Sequence, residues 1–272
     1  MTFRPMANSI VLCCLACGLP ADSGTHSGDD ILAKVEIETN RRHVELTEYS
    51  GSRQYTLQNG RFGQQAEAAV LMHHGPEDGD RFTLVKRSGS GQLSGIIDKL
   101  LSSETLASQP LEQASHEINS TNYRVKLLGA ETAAGRTCYV LALTPRSKSQ
   151  FLVIGKAWVD AESYGVVRME GQFAASMSIL VGAPHIIEDF VEVHGFWLPG
   201  HVRSITTSLL LGPTELDIQF SNYQVERGGY SPEAAALLRR DASLVCSVRR
   251  LIPSMSAASL RLPCTCSRVS LI

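Results

Sequence analysis

Apolar and polar residues alternate along most of the chain between residues 49 and 220, and the period of two marks strands. Tyr55 and Leu57 oppose Gln54 and Thr56. Ala68, Val70 and Met72 oppose Glu67 and His73, and Phe82 and Leu84 share one face of the segment 81–87. In the second half Tyr123, Val125 and Leu127 oppose Asn122, Arg124 and Lys126. Tyr139, Leu141 and Leu143 follow Gly135-Arg136, 150–160 is mostly apolar, and Val167 and Met169 oppose Val166, Arg168 and Glu170. Segments 185–193 and 201–211 alternate again, the latter carrying Ile205, Leu209 and Leu211. Leu216, Ile218 and Phe220 then oppose Glu215, Asp217 and Gln219. Turn-forming clusters separate these runs: Gln58-Asn59-Gly60-Arg61, Gly75 to Asp80, Asp160 to Ser163, His194-Gly195 and Gly212-Pro213. Roughly ten strands joined by short turns imply consecutive antiparallel pairing.

Two stretches break the alternation with helical spacing. Residues 31–46 place Leu32, Val35, Thr39, Arg42 and Leu46 on one stripe, with Asp29 or Asp30 as the expected cap. Residues 92–106 carry Leu93, Ile96, Ile97, Leu100 and Leu101 at intervals of three and four, and a second helical or loop segment reaches 118. A large sheet with one apolar face must cover that face. The expected fold is therefore mainly β (α+β): a large antiparallel sheet curled into an incomplete barrel with a lid of two or three helices.

The ends read differently. Arg4 followed by the apolar run Ile10 to Leu19 has the form of a signal peptide over 1–23, too short to span a bilayer. Cleavage falls near Ala21, or at a lipobox in which Cys17 is lipidated after Leu15-Ala16. Residues 24–45 form a leader and first helix, 46–228 the sheet domain, and 229–272 a short helix (231–240) and a disordered-looking tail. No transmembrane span is expected in the mature protein.

Of seven cysteines, Cys13, Cys14 and Cys17 lie in the signal and Cys246, Cys264 and Cys266 in the tail. Cys138 is left alone in the domain as a small buried hydrophobe. A 43% hydrophobic composition with a net charge of −2 and no basic stripe argues for a sizeable core and against a nucleic-acid partner.

Candidate chemistry is thin. Gly89-Ser90-Gly91-Gln92-Leu93-Ser94-Gly95 joins a strand to a helix, but a dinucleotide fingerprint needs glycine at Ser94 and a parallel βαβ unit. His73 and His74 point to opposite faces of a strand and do not make a metal site. Asp78 and Asp80 lack the closing glutamate of a calcium loop. His116, His185, His194 and His201 are scattered among the serines, and Trp158 and Trp197 read as core or cavity residues. No catalytic residue, metal or cofactor is expected.

Gly135-Arg136-Thr137-Cys138-Tyr139-Val140-Leu141 leads to Leu143-Thr144-Pro145, then to Gly155-Lys156-Ala157-Trp158-Val159-Asp160 and Val167-Arg168-Met169-Glu170-Gly171, and finally to Gly195-Phe196-Trp197-Leu198-Pro199. This series resembles the outer-membrane lipoprotein-sorting protein family, the group around the carriers LolA and LolB and the sensor RseB. The resemblance spans roughly 45–225 and is strongest from 122 to 222. It implies a periplasmic location and an incomplete β-barrel with a helical lid over an apolar cavity that binds acyl chains of lipids or lipoproteins.

On that reading the cavity lining is Tyr55, Leu57, Val70, Met72, Phe82, Leu84, Tyr139, Leu141, Val167, Met169, Leu209, Leu216, Ile218 and Phe220, faced by Ile96, Ile97 and Leu100 from the lid. Each buried methylene would contribute ~0.8 kcal/mol. The alternatives are an RseB-like sensor or interaction module with envelope-protein partners, and a hydrolase using the cavity.

Overall fold

The computed structural model describes residues 26–76, 79–109, 114–176, 182–209 and 212–227. The expected signal peptide, Cys17, Leu211, the 231–240 helix and the tail lie outside them.

Helix α1 (Gly28–Glu45) is followed by strands β1 (Leu46–Asn59), β2 (Gln64–Gly75) and β3 (Gly79–Gly89) and by helix α2 (Gly91–Ala107). Seven further strands follow among the described residues: β4 (Tyr123–Ala133), β5 (Arg136–Pro145), β6 (Val153–Asp160), β7 (Val166–Phe173), β8 (His185–Val193), β9 (Phe196–Ser208) and β10 (Gly212–Arg227). They form one ten-stranded antiparallel sheet in the order β3-β2-β1-β10-β9-β8-β7-β6-β5-β4. β10 returns to pair with β1, and β3 and β4 remain edges, so the barrel does not close. The expected architecture is present, with two helices among the described residues.

Two of the hairpins turn on two residues with positive φ, Ala134-Gly135 (49° and 76°) and His194-Gly195 (51° and 82°). That is the geometry whose twist suits antiparallel neighbours.

Helix α1 is capped by Ser27 and not by Asp29 or Asp30. The Ser27 hydroxyl accepts from the Asp30 N–H at 3.1 Å, and the Asp30 carboxylate accepts from the Ser27 N–H at 3.1 Å. Asp30 thus closes a reciprocal box from the third helical position, and these bonds hold its carboxyl below the usual range.

The inner face of the sheet divides between the two helices. Under α2, Leu93 and Ile97 pack on Tyr55, Leu57, Ala66, Ala68, Val70, Val202 and Ile218. Under α1, Ile31 and Val35 pack on Tyr123, Leu141, Leu143, Ala157 and Val159. The stripe read for 92–106 is the α2 contact face, whereas the α1 face adds Ile31 to Val35 and Leu46 belongs to β1.

The alternation read for 166–170 fails at one point. A β-bulge between Trp158 and Val159 lets Val166 pair with Val159, while Met169 pairs with Ala157. An extra residue in one strand reverses the faces beyond it. Val166 therefore joins Met169 on the inner cluster, and Val167 packs with Cys138 and Trp197 in a separate cluster.

A cavity between the helices and the sheet

The register aligns one residue from each of nine strands in a single row across the inner face: Ala68, Tyr55, Ile218, Val202, Glu188, Met169, Ala157, Leu141 and Leu127. Paired residues share a face, so the row is a cross-section of the floor. Glu188 is its one carboxylate, and its cross-strand neighbours are Met169 and Val202.

Above the Glu188–Met169 stretch of this row, between the two helices, lies a cavity of about 660 Å³. That is inside the ~300–1,000 Å³ usual for small-molecule sites. Helix α1 supplies Val35, Thr39, Arg42 and His43; the start of β1 supplies Leu46 and Tyr49; the end of α2 supplies Ala107 and Ser108. Ile118 closes one side. Met169, Glu188, Phe190, Leu198 and Pro199 supply the sheet wall.

Most of the charges at the wall are already matched. Glu38 accepts from Arg41, Glu117 lies 3.1 Å from His43, and the His74 ring nitrogen Nδ1 lies 2.7 Å from Asp80. Arg42 reaches the Trp197 carbonyl at 3.4 Å. Glu188 makes no side-chain hydrogen bond or ion pair among the described residues. Burial in this apolar floor pushes its carboxyl up to about 7; the Glu104 carboxylate adds to the effect, and Arg53 and Arg42 oppose it.

A polar network fixes the far end of α2 beside the cavity. Arg53, inward on β1, pairs with Asp80 at 3.0 Å and with Glu104 on α2. The Tyr55 hydroxyl donates to Glu104 at 3.2 Å. The Arg53 guanidinium lies between the Phe82 and Phe220 rings, 4.8 and 4.9 Å from their centres. Burial works against the Arg53 charge, but Glu104, Tyr55 and Asp80 outweigh it and its pKa rises. Burial raises the Glu104 carboxyl in spite of Arg53. The Asp80 N–H donates to the Ser108 hydroxyl at 2.7 Å, and His74 stacks on Tyr49.

The residues read from the sequence as lining are distributed unevenly. Met169 lines the cavity. Tyr55, Leu57, Val70 and Ile218 are buried beneath α2 and Ile97 on its underside, with Phe82, Ile96, Leu216 and Phe220 half-buried around them. Met72 is buried and Leu100 half-buried. Tyr139 and Leu141 belong to the cluster under α1. Val167 packs against Cys138 and Trp197. Leu84 is 47% and Leu209 73% exposed. The residues missed by the sequence reading include Val35, Leu46, Ile118, Glu188, Phe190 and Leu198. One signal was available: Glu188 is the acid that shares the inward face with Ile186.

The motif residues have structural work. Asp160 accepts from the Ser163 N–H at 2.9 Å and from its hydroxyl at 2.7 Å, closing the β6–β7 turn. The Trp197 indole donates to the Ser163 hydroxyl at 3.0 Å and lies so close to Gly165 that a Cβ there would be 1.9 Å from its ring. Phe196 and Leu198, on either side, are buried with Leu46. Cys138 is buried, and that burial raises its thiol pKa. His73 is exposed and 3.8 Å from Glu48, on the opposite face from His74.

The class these features define is an open antiparallel sheet carrying two helices over a partly apolar cavity. No family model matches the chain, and no curated protein matches it. Among solved structures it is similar to a DUF1329 family protein from Desulfovibrio piger, at 15% identity and a TM-score of 0.37 over 75% of this chain and 95% of that one. It is also similar to a putative outer membrane lipoprotein-sorting protein domain from Vibrio parahaemolyticus, at 13% identity and a TM-score of 0.37 over 76% and 95%. A third is a LolA superfamily protein from Nitrosomonas europaea, at 13% identity and a TM-score of 0.34 over 76% and 96%. At such identities and TM-scores these likenesses carry no function over to this chain.

Proposed function

We propose that the chain is a cell-envelope binding protein that takes acyl chains of lipids or lipoproteins into the cavity between its helices and its sheet. The observation that carries this reading is the cavity itself: about 660 Å³ walled by Val35, Leu46, Ile118, Met169, Phe190 and Leu198. Burying acyl methylenes against such walls supplies the driving force, ~0.8 kcal/mol each. Among the described residues no helix is long and apolar enough to cross a membrane. An exported protein with the signal at 1–23 suits that role.

The hydrolase alternative would need Ser108, the serine on the cavity wall, to offer its proton to a lining histidine, His43, His74 or His116. Ser108 donates to the Thr105 carbonyl at 3.0 Å, as a residue finishing a helix does.

The test is native mass spectrometry of protein purified from a periplasmic extract, followed by lipid extraction, beside a Met169→Asp variant that sets a charge on the apolar wall. A stoichiometric acyl-chain ligand, lost in the variant, is the expected result. Empty protein that also fails to take up N-phenyl-1-naphthylamine, a neutral apolar dye, overturns the reading.

A further inference from the structure

Glu188 is the one carboxylate in a nine-strand row of otherwise uncharged inner-face residues. It lines the cavity, and among the described residues it has no hydrogen-bonding partner. The other acids at the wall are paired, Glu38 with Arg41 and Glu117 with His43. A carboxylate left unpaired among apolar groups is costly, and a ligand group that donates to it recovers much of that cost.

We propose that the cavity selects amphiphiles with a primary ammonium group, which Glu188 receives as a charge-assisted hydrogen bond while Val35, Leu46, Met169 and Leu198 hold the apolar body. The inference rests on the acyl-binding reading and narrows its ligand class. A fatty carboxylate would set two like charges side by side against the half-buried Glu188, so the same residue selects against it. An alcohol of the same chain length can donate one uncharged bond and falls between the two.

The charges that face Glu188 set the conditions. Arg42 on α1 and Arg53 on β1 favour its ionised form, whereas Glu104 on α2 and the adjacent Asp189 oppose it. Deprotonation near neutrality makes the ammonium preference strongest above pH 7 and weak at pH 5.5. The dodecylammonium ion stays protonated through this range, so any change reports on the protein.

The experiment is displacement of N-phenyl-1-naphthylamine by dodecylamine, dodecanol and dodecanoate, at pH 5.5 and pH 8, on the full chain and on Glu188→Gln. At pH 8 the expected order is amine, alcohol, carboxylate, with roughly tenfold between amine and alcohol. In Glu188→Gln that tenfold gap closes, and uptake of the neutral dye itself reports that the cavity is intact. Equal displacement by amine and carboxylate at pH 8, or a gap that survives in Glu188→Gln, overturns the ammonium proposal and leaves the acyl-binding reading standing. Displacement by none of the three, with the dye itself unbound, defeats the acyl-binding reading and this one with it.

Discussion

Arg53 on β1 and Glu104 on α2 form an ion pair that ties the last turns of the helix to the sheet floor, where the first turns are held by Leu93 and Ile97. The helix is therefore fastened by two different forces at its two ends. The Arg53 side chain is only 7% exposed, so its charge depends on Glu104 and Asp80. Replacing Arg53 by Met would remove the guanidinium from both carboxylates, leaving Asp80 with His74 and Glu104 with the Tyr55 hydroxyl. The expected loss is about 3 kcal/mol, the low end for a broken buried pair, because each carboxylate keeps a second partner. Glu104→Gln should cost less, since Arg53 keeps Asp80. Urea unfolding of the two variants tests this, and an Arg53→Met midpoint equal to the parent's would show the network to be dispensable.

Gly165 and Trp197 make a second dependence that is easy to probe. The indole occupies the space a side chain at 165 would need, with a Cβ at 1.9 Å from its ring. Gly165→Ala must push the ring away and weaken its 3.0 Å hydrogen bond to Ser163. Overpacking of this kind costs about 1–3 kcal/mol. The chain has two tryptophans, so a Trp158→Phe background isolates Trp197 fluorescence. A shifted emission maximum together with a lower unfolding midpoint is expected. Unchanged emission would mean that the ring does not rest where the glycine is.

How far the sequence disclosed this arrangement can be judged from particular residues. Alternation located the strands because each buries one face, and the 92–106 stripe became α2 because Leu93 and Ile97 needed a partner surface. The His194-Gly195 turn was legible from turn chemistry alone, whereas Asn59 stays in β1 and the chain turns over residues 60–63, with the positive φ at Gly63 and not at the Asn-Gly pair. Val167 was misplaced because a bulge is an event in pairing, and pairing partners are invisible to periodicity. The lining was misjudged for a related reason. Alternation identifies which residues face inward, but it does not distinguish floor already covered by α2, such as Tyr55 and Ile218, from floor left open, such as Met169. Glu188 is polar, so an alternation of apolar positions does not mark it as inward-facing.

The start of α1 offers a local test of the helix that forms one wall of the cavity. Ser27 and Asp30 exchange two 3.1 Å hydrogen bonds. Ser27→Ala removes the acceptor for the Asp30 N–H, and such caps contribute ~1 kcal/mol. Because Ile31, Leu32 and Val35 stay buried, the helix should persist in circular dichroism while the unfolding midpoint falls. A midpoint unchanged within error would assign α1's stability to packing alone.

Glu188 gives the pH dependence its sign. Its folded-state pKa of about 7 lies above the ordinary value of 4.5, so the folded protein holds this proton more tightly than the unfolded chain does. A raised pKa contributes stability that is fully present below the unfolded value and is lost as pH rises through the folded one. Between about pH 4.5 and pH 8 the loss should be on the order of 2–3 kcal/mol, since each pKa unit is worth 1.36 kcal/mol and cavity water screens part of it. Glu104, also raised by burial, acts in the same direction, so the parent's slope alone does not isolate Glu188. The comparison with Glu188→Gln does. The variant keeps the shape, has no charge to form, and should be more stable than the parent at pH 8 and close to it at pH 5. Urea midpoints at the two pH values decide the matter: parallel slopes for parent and variant would mean that Glu188 ionises freely in the folded protein.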